Sequence, residues 1–580
     1  MTDEKSELLS KPYWFYIKKH KRTVSLGLLW LFLTNLMETV IPIMVGKTLD
    51  AITASAPLGS IAEIVYWIFA LILVQSVFRY LWRIYWARFH HTVADDLRNR
   101  VFDRMIDLGP SFFRPRKIGQ LITLITNDVN SFRMGIGPGF LILFDGIIMA
   151  GLILPVMISI SWTWTWQTLA LMPLVPLAVK RILNHLQIEF QGRQERFADM
   201  SGSAQEIVSG IRVIKSFVQE ENQTRQFNIH SHAFTKSCDH VARWSSFFLP
   251  CLELPVALGS VTLLLLGVPE VIAGRVSLGQ YFAFYQYIQR MIWPMEALGV
   301  AMGHLQEGWA SFARIREVLE FKADVPDSGQ TEISEFVSLE ARDLTFTYPG
   351  AIAPTLKNVS FQLKRGESLG IVGLTGAGKS TLIELLTRQY PVPEGSLLVN
   401  GIPVSEVKLS SLRKLIAITP QDAFLFSRKV ADNLALGLDQ WNLDDLRETV
   451  AQVRLDQEIE NWPGAYEALV GERGVNLSGG QKQRMTLARA MIRQSPLVIL
   501  DDALSAVDAK TEEDILSSLR DELQGTTSII VSHRLASVRE ADQILVLKAG
   551  QIEAKGRHED LIDLSPTYRF LHEMQTEGRN

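Results

Sequence analysis

The chain has 580 residues, which is too long for one ordinary domain, and 47% of its residues are hydrophobic. Its 58 basic and 62 acidic side chains give a net charge of −4, so the charge does not support nucleic acid as a partner. Two cysteines, Cys238 and Cys251, indicate no disulfide framework. Because the long apolar stretches lie in the first half, the sequence predicts a membrane part followed by a soluble part.

Six apolar segments meet or approach the length of about 20 residues that a helix needs to cross a bilayer. They are predicted at residues 24–46, 63–86, 134–160, 163–184, 246–270 and 279–300. Basic residues concentrate before the first segment and in two long connections, 88–133 and 186–243. This bias predicts that the N-terminus, both long connections and the C-terminal part lie in the cytoplasm. We therefore expect an integral protein of the lipid bilayer, in the inner membrane of a bacterial cell.

The long connections keep the apolar spacing of helices, as at Val93, Leu97 and Val101, so we expect helices that continue out of the membrane. Each connection has a break near its middle. A charged stretch with Pro and Gly follows the last span and is typical of a linker. The predicted parts are a cytoplasmic segment, a transmembrane domain, a linker and a nucleotide-binding domain, at 1–23, 24–317, 318–336 and 337–580.

The soluble part contains a phosphate-binding loop between a predicted strand and a predicted helix. The loop residues are Gly373, Leu374, Thr375, Gly376, Ala377, Gly378, Lys379, Ser380 and Thr381. Glycines let successive backbone N–H groups face phosphate oxygens, and the helix N-terminus adds positive potential. Lys379 is expected to neutralise the outer phosphates, and Ser380 to offer its hydroxyl to Mg²⁺. The pattern predicts an α/β domain that binds ATP.

A second predicted strand, 497–500, ends at Asp501 and Asp502. A carboxylate at the end of a buried strand beside a phosphate loop is placed to hold the Mg²⁺ shell. We assign that role to Asp501.

The motifs around this loop resemble those of the ATP-binding cassette family. They are Thr347–Tyr348–Pro349, Pro420–Gln421–Asp422, Gly471–Glu472–Arg473–Gly474, Asn476–Leu477–Ser478–Gly479–Gly480–Gln481, Ser505–Ala506–Val507–Asp508 and Ser532–His533–Arg534. The resemblance implies that Tyr348 stacks on adenine, that Gln421 senses Mg²⁺ and that His533 contacts the γ-phosphate. It also implies that Ser478, Gly479, Gly480 and Gln481 contact a nucleotide held by a second subunit.

The resemblance covers the whole chain, since six spans with long intracellular helices before the cassette are similar to the exporter class of half-transporters. The implied fold is a six-helix transmembrane domain followed by an α/β nucleotide-binding domain. The breaks in the two connections, near 112–117 and 207–215, would be short coupling helices that dock on nucleotide domains.

One position departs from the family pattern. The residue after the Mg²⁺ aspartate is normally a glutamate that polarises the attacking water, and here it is Asp502. Losing one methylene withdraws the carboxylate by about 1.5 Å, and misplacements near 1 Å cost about a hundredfold in rate. This resembles the weak member of heterodimeric multidrug exporters, so a different half-transporter is the favoured partner and a homodimer the alternative. An aspartate that simply replaces the glutamate is the other reading of Asp502.

Four acids fall within predicted spans: Glu38, Asp145, Glu253 and Glu296. Intramembrane acids usually face a bundle interior or an aqueous cavity. With nearby aromatic residues they would suit amphipathic cations, and structural packing is the alternative. The favoured function is ATP-driven export of small hydrophobic or amphipathic compounds. A nucleotide-sensing regulatory subunit, a lipid or peptide exporter and an importer of the same architecture are the alternatives.

Overall fold

The computed structural model describes residues 2–170, 172, 174–327, 329–507, 509–523 and 525–577. It divides into two compact units. The first, here the membrane unit, contains Met1–Ile106 and Lys117–Phe321; the second, the cassette unit, contains Asp107–Arg116 and Lys322–Asn580. The ten residues Asp107–Arg116 thus belong with the cassette, although they lie far from it in sequence.

The described part of the membrane unit is helical. Its helices are α1 Thr2–Ser10, α2 Pro12–Lys19, α3 Lys21–Thr53, α4 Leu58–Ile106, α6 Ile118–Thr123, α7 Val129–Met134, α8 Phe140–Ile160, α9 Trp162–Leu169, α10 Leu174–Ser209, α11 Ile211–Ser216, α12 Glu220–Ser246, α13 Phe248–Ile272, α14 Leu278–Arg290 and α15 Ile292–Glu320, with α5 Pro110–Phe113 in the cassette unit. Two π-helical turns, Leu124–Asp128 and Gly135–Gly139, join α6, α7 and α8 into one long helix.

Four helical segments of the described chain are long and apolar enough to cross a membrane. They are Lys21–Thr53, Leu58–Ile106, Ile118–Ile160 and Glu253–Ile272. They correspond to the predicted spans 24–46, 63–86, 134–160 and 246–270. The predicted span 279–300 is instead divided between α14 and α15, and Pro294 lies in the first turn of α15, where a missing N–H costs little. The predicted span 163–184 is divided between α9 and α10 and includes residues outside the described set.

The predicted breaks in the long connections coincide with short helices. Pro110–Phe113 lies in the first connection and Ile211–Ser216 in the second. Both differ by a few residues from the predicted coupling segments, 112–117 and 207–215. The first three residues of the predicted linker, 318–336, lie in the last turn of α15, which continues to Glu320. Apolar residues at Ile315, Val318 and Leu319 are buried and explain this continuation.

Helices α3 and α14 pack closely through two glycines. A Cβ on Gly46 would lie 2.4 Å from the Gly279 carbonyl oxygen, so neither position has room for a side chain. Asp50 accepts hydrogen bonds from the Ser277 hydroxyl at 2.7 Å and from the Gly279 amide at 2.7 Å, which satisfies the first turn of α14. Farther along, the Tyr287 hydroxyl donates to the Thr39 carbonyl.

The cassette unit combines two sheets with surrounding helices. Its strands are β1 Ser338–Phe346, β2 Leu356–Lys364, β3 Ser368–Val372, β4 Leu397–Val399, β5 Ile402–Pro403, β6 Ile416–Thr419, β7 Leu497–Asp501, β8 Thr527–Val531, β9 Gln543–Lys548 and β10 Gln551–Gly556. Its remaining helices are α16 Lys379–Leu386, α17 Leu409–Lys414, α18 Val430–Leu434, α19 Leu443–Gln452, α20 Asp456–Glu460, α21 Gly479–Met491, α22 Ala509–Leu523, α23 His558–Leu564 and α24 Pro566–Glu577.

The larger sheet has the strand order β10-β9-β3-β8-β7-β6. Strands β3, β6, β7, β8 and β9 run parallel, and β10 is antiparallel to β9. Strands β3 and β7 are separated only by β8, so their carboxyl ends lie near each other. In parallel α/β sheets, ligands bind at this edge. The smaller antiparallel sheet, β2-β1-β4-β5, packs against the phosphate-loop helix through a shared apolar core.

Candidate nucleotide-binding site

The phosphate loop runs from the end of β3 to the start of α16. A Cβ on Gly373 would lie 2.3 Å from the Leu547 carbonyl oxygen, so the chain passes β9 too closely for any other residue. Gly378 has φ of 103° and immediately precedes α16, a left-handed conformation that favours glycine. The N-terminus of α16 therefore opens onto the loop with its first amides available to an anion.

Lys379 lies folded against the loop that it follows. Its ammonium donates to the carbonyl oxygens of Gly373 at 2.7 Å and Leu374 at 3.2 Å. Burial lowers the pKa of Lys379, and the nearby carboxylates of Asp502 and Asp501 oppose that shift. The lysine is thus held at the loop by backbone acceptors, where phosphate oxygens can take over its hydrogen bonds.

A cleft of about 650 Å³ opens beside the loop. Its lining residues are Thr355, Thr375, Gly376, Ala377, Gly378, Lys379, Ser380, Thr381, Gln421, Asp501, Asp502, Val531 and His533. The structure therefore brings together most of the predicted phosphate, metal and catalytic residues. Gly373 and Leu374 shape the loop and are absent from the lining of this cleft. The sequence prediction gave no role to Thr355, which directly precedes β2, or to Val531, the last residue of β8, and both line the cleft.

Asp501 and Asp502 follow one another at the end of β7. Burial and the neighbouring Asp502 charge raise the pKa of Asp501 to about 6. Asp502 has a left-handed backbone with φ of 50°, which aspartate tolerates better than most residues, and its amide donates to the Val531 carbonyl at 2.8 Å. The His533 amide lies 3.5 Å from Asp502 Oδ1. The acid and the histidine thus meet at one edge of the cleft.

The oxygen donors of the cleft fit a hard divalent cation. Ser380 supplies a hydroxyl, Asp501 a carboxylate and Gln421 a side-chain amide, and all three line the same space. Mg²⁺ is typically held by one or two carboxylates together with phosphate oxygens and water. Within the described residues no group of three or more His, Cys, Asp or Glu is placed to hold a metal on its own.

Tyr348 lies beside the cleft and is absent from its lining. Its hydroxyl donates to Glu384 Oε2 at 2.7 Å and lies 2.9 Å from the Thr381 hydroxyl. The ring contacts Phe346 and Tyr390 edge to face. The predicted adenine-stacking residue is therefore tied to the phosphate-loop helix through its hydroxyl group, while the ring itself is half-buried.

The predicted signature residues lie outside this cleft. Ser478 caps α21, where its hydroxyl accepts from the Gln481 amide at 3.2 Å and Gln481 Oε1 accepts from the Ser478 amide at 2.8 Å. Gln481 Nε2 also donates to Glu458 at 2.6 Å. Ser478 and Gly479 are exposed and Gly480 is partly exposed. One chain therefore does not bring its signature to its own phosphate loop.

Two further motifs flank these residues. The Ala506 amide donates to Gln483 Oε1 at 2.7 Å, and the Ser505 hydroxyl accepts from Gln483 Nε2 at 2.8 Å, which ties the loop after β7 to α21. Asp508, the last residue of that predicted motif, lies outside the described residues. In the Gly471–Gly474 segment, Arg473 has a left-handed backbone with φ of 51°.

Two of the four predicted intramembrane acids are bonded to donors of the chain itself. Glu38 accepts from Gln75 Nε2 at 3.2 Å and from Arg79 Nη2 at 3.4 Å, and it forms an ion pair with Arg290 at 2.9 Å. Asp145 accepts from Asn35 Nδ2 at 2.8 Å and Trp293 Nε1 at 2.6 Å.

Glu253 is exposed and Glu296 partly exposed in the membrane unit. The structure therefore does not bring the four acids together as one cluster. Glu38 and Asp145 instead join helices, and sequence spacing could not predict those partners.

Known proteins with the same two parts are similar to this chain along nearly its whole length. The family model of the ABC transporter transmembrane region matches residues 24–295, and the ABC transporter model matches residues 356–505. The chain is 35% identical over 575 residues to the multidrug resistance-like ATP-binding protein MdlA of Escherichia coli (strain K12), covering 98% of this chain and 96% of that protein. It is 32% identical over 573 residues to the probable multidrug resistance ABC transporter ATP-binding/permease protein YheI of Bacillus subtilis (strain 168), covering 98% and 97%.

A solved structure described as a bacterial Atm1-family ABC exporter with ATP bound has the same fold. It superposes with a TM-score of 0.78 at 24% identity and covers 96% of this chain and 98% of that one. The order of domains, the cleft beside the phosphate loop and the full-length relatives lead to one conclusion. The chain belongs to the ABC transporter family, with a transmembrane region and an ATP-binding domain fused in one polypeptide, and ATP hydrolysis by its cassette is coupled to transport.

Proposed function

We propose that the chain is one subunit of a dimeric exporter that moves small hydrophobic or amphipathic compounds out of the cytoplasm. The observation that carries the dimer is the separation of the exposed signature residues from the phosphate-loop cleft of the same chain. A second subunit is needed to bring a signature to this loop. The names of the relatives, both of which include multidrug resistance, support the substrate class.

The predicted site residues in and beside the cleft have the following roles in this proposal. The loop amides and Lys379 bind the phosphates, while Ser380, Gln421 and Asp501 hold Mg²⁺, which would neutralise charge on the phosphates. Tyr348 stacks on adenine and His533 contacts the γ-phosphate. Asp502 accepts a hydrogen bond from the attacking water, but its side chain is one methylene shorter than the usual glutamate.

The shorter acid makes this chain the weak member of an unequal pair. Hydrolysis at its own phosphate loop is slow by about a hundredfold, because the carboxylate lies too far from the water. Its signature residues Ser478, Gly479, Gly480 and Gln481 are intact and complete the working site on the phosphate loop of a different half-transporter. Purified alone, the chain should therefore show little ATPase activity.

Exposed apolar side chains in both units support a partner that covers them. In the membrane unit they are Ile211, Val213, Phe217 and Val218; in the cassette unit they are Phe424, Phe426, Leu469 and Val475. In the short helix α11 and the two residues after it, these apolar side chains are 44% to 80% exposed, as expected of a segment that docks on another surface. A heterodimer is favoured by Asp502, and a homodimer is the alternative.

The proposed placement is in the bacterial inner membrane, with six spans and a cytoplasmic cassette. The four apolar helical segments supply four spans. The fifth and sixth are assigned to the broken pairs α9–α10 and α14–α15. The basic residues before α3 and in the two long connections support the cytoplasmic side for the N-terminus and cassette.

The test is a bulky substitution in the signature, Ser478→Arg, made in the assembled transporter. We expect substrate-stimulated ATP turnover to be lost, because the arginine blocks the partner's nucleotide. Ser517→Arg, on the exposed surface of α22, serves as the matched control and should keep turnover. If turnover survives Ser478→Arg, the chain is instead a nucleotide-sensing regulatory subunit, the second function that Asp502 favours. Transport into inverted vesicles then measures the direction of movement.

A further inference from the structure

The segment 107–116 is docked firmly within the cassette unit. Phe112 is fully buried, and the Ser111 amide donates to Asp324 Oδ2 at 3.0 Å. A Cβ on Gly109 would lie 2.4 Å from the same carboxylate oxygen, so the glycine allows the close approach. The position of Arg114, two residues after Phe112, is thereby fixed relative to the cassette.

Arg114 lies on the tyrosine that is predicted to stack on adenine. Its guanidinium carbon is 4.8 Å from the ring centre of Tyr348 and 5.3 Å from that of Tyr390. Both distances are within the range of a cation–π interaction. The same guanidinium forms an ion pair with Glu384 at 2.5 Å.

Glu384 connects Arg114 with Tyr348 through its two carboxylate oxygens. One of its carboxylate oxygens binds Arg114 and the other accepts from the Tyr348 hydroxyl at 2.7 Å. That hydroxyl also lies 2.9 Å from Thr381, which lines the nucleotide cleft directly after Ser380. Arg114, Tyr348 and the phosphate-loop helix α16 are thus joined through a planar cation, an aromatic ring and a carboxylate.

We propose that Arg114 is a positioning residue for adenine: it holds the Tyr348 ring in place, so that binding of the base and docking of the segment 107–116 strengthen each other. Arg114 contacts the Tyr348 ring and Glu384 binds its hydroxyl. Because the ring is already held in one conformation, adenine can stack on it with a smaller loss of side-chain entropy. Because such coupling is reciprocal, adenine binding must also stabilise the docked segment. This inference rests on the proposed role of Tyr348.

The first experiment measures equilibrium binding of ATP and of inorganic tripolyphosphate to the purified full chain. Arg114→Ala should weaken ATP binding about threefold to fivefold, the range of an exposed cation–π contact, and leave tripolyphosphate binding unchanged. Tyr348→Ala should weaken ATP binding about tenfold through lost stacking. In the Tyr348→Ala background, Arg114→Ala should add nothing.

Arg342→Ala is the matched control, since Arg342 forms a similar ion pair with Glu340 on the exposed surface of β1. Equal losses for ATP and tripolyphosphate with Arg114→Ala would overturn the inference and indicate a purely structural role. Independent losses from Arg114→Ala and Tyr348→Ala would overturn it as well. If the wild-type chain bound no ATP, the proposed role of the cleft itself would fail, which is a separate outcome.

The second experiment measures amide hydrogen exchange in the segment 107–116. ATP should slow exchange there, tripolyphosphate should slow it less, and Tyr348→Ala should remove the difference between the two. Exchange that responds equally to both ligands in the wild-type chain would contradict a path through the adenine ring.

Discussion

The polar residues of the cassette cleft and the acids of the membrane unit differ in how available they are to a ligand. In the cleft, Lys379 is held by backbone carbonyls and Asp501 and Asp502 face open space, so their side chains remain available to a ligand. In the membrane unit, Glu38 and Asp145 already accept hydrogen bonds or ion pairs from the chain itself. Acids in an apolar helix bundle are therefore weaker indicators of a ligand than the same residues at a sheet edge.

This difference weakens the prediction that intramembrane acids bind a cationic substrate. Glu38 is shared by two arginines and a glutamine, and both oxygens of Asp145 have donors. Neither acid offers a free oxygen to a cation in this conformation. The proposed substrate class is accordingly supported by the names of the relatives rather than by a cation-binding acid.

The largest effect is expected from Lys379→Met, which removes the cation of the cleft. ATP affinity of the purified full chain should fall about 100-fold, since truncating one member of a buried charge pair costs 2–5 kcal/mol. Lys364→Met, at an exposed position of β2, is the control and should bind ATP normally. An affinity within threefold of wild type would mean that Lys379 does not face the phosphates, and the contrast with the membrane unit would disappear.

A smaller effect is expected from Glu38→Gln in the membrane unit. It leaves Arg79 and Arg290 short of a counter-charge, so the chain should lose about 1–3 kcal/mol of stability and its Tm should fall. Preference for cationic over neutral substrates should not change. Glu296→Gln is the comparison variant, because no hydrogen bond or ion pair of Glu296 is found within the described part of the chain. A normal Tm with selective loss of cation transport would show that Glu38 serves the substrate.

The phosphate loop could be predicted from sequence because its chemistry is local. Nine consecutive residues between a strand and a helix contain the turn, the cation and the hydroxyl, and the structure places seven of them around one cleft. Arg114 could not be found in this way, since its contact with Glu384 joins residues 270 positions apart. The break around Pro110 could be predicted, but not that its segment belongs with the cassette.

The membrane spans also could be predicted only where the sequence signal is local. Four were predicted from length and hydropathy alone and are found as long apolar helices. The other two predicted spans are each divided between two helices. In the span 279–300, Arg290 and Glu296 interrupt the apolar run, and a new helix begins at Ile292. The pairing of Arg290 with Glu38 offsets the cost of its charge, but that pairing is set by tertiary packing between α3 and α14.

The smallest effect is expected from Glu458→Ala beside the signature. Glu458 holds Gln481 Nε2 at 2.6 Å and Arg484 Nη2 at 2.6 Å, so its loss should loosen the start of α21. Turnover of the assembled transporter should fall about fivefold, the effect of about 1 kcal/mol in a partly exposed hydrogen bond, while ATP affinity of this chain stays constant. Glu460→Ala, two residues away and exposed, is the control. A parallel fall in this chain's own ATP affinity would contradict the separation of signature and cleft.

The most direct test of the unequal pair identifies which subunit keeps an intact ATP after turnover. The assembled transporter is loaded with a photoreactive ATP that carries its label on the γ-phosphate, allowed to turn over and then cross-linked. The proposed slow hydrolysis beside Asp502 predicts that the γ-label stays on this chain and is lost from the partner. Loss of the label from both subunits at the same rate would contradict the account.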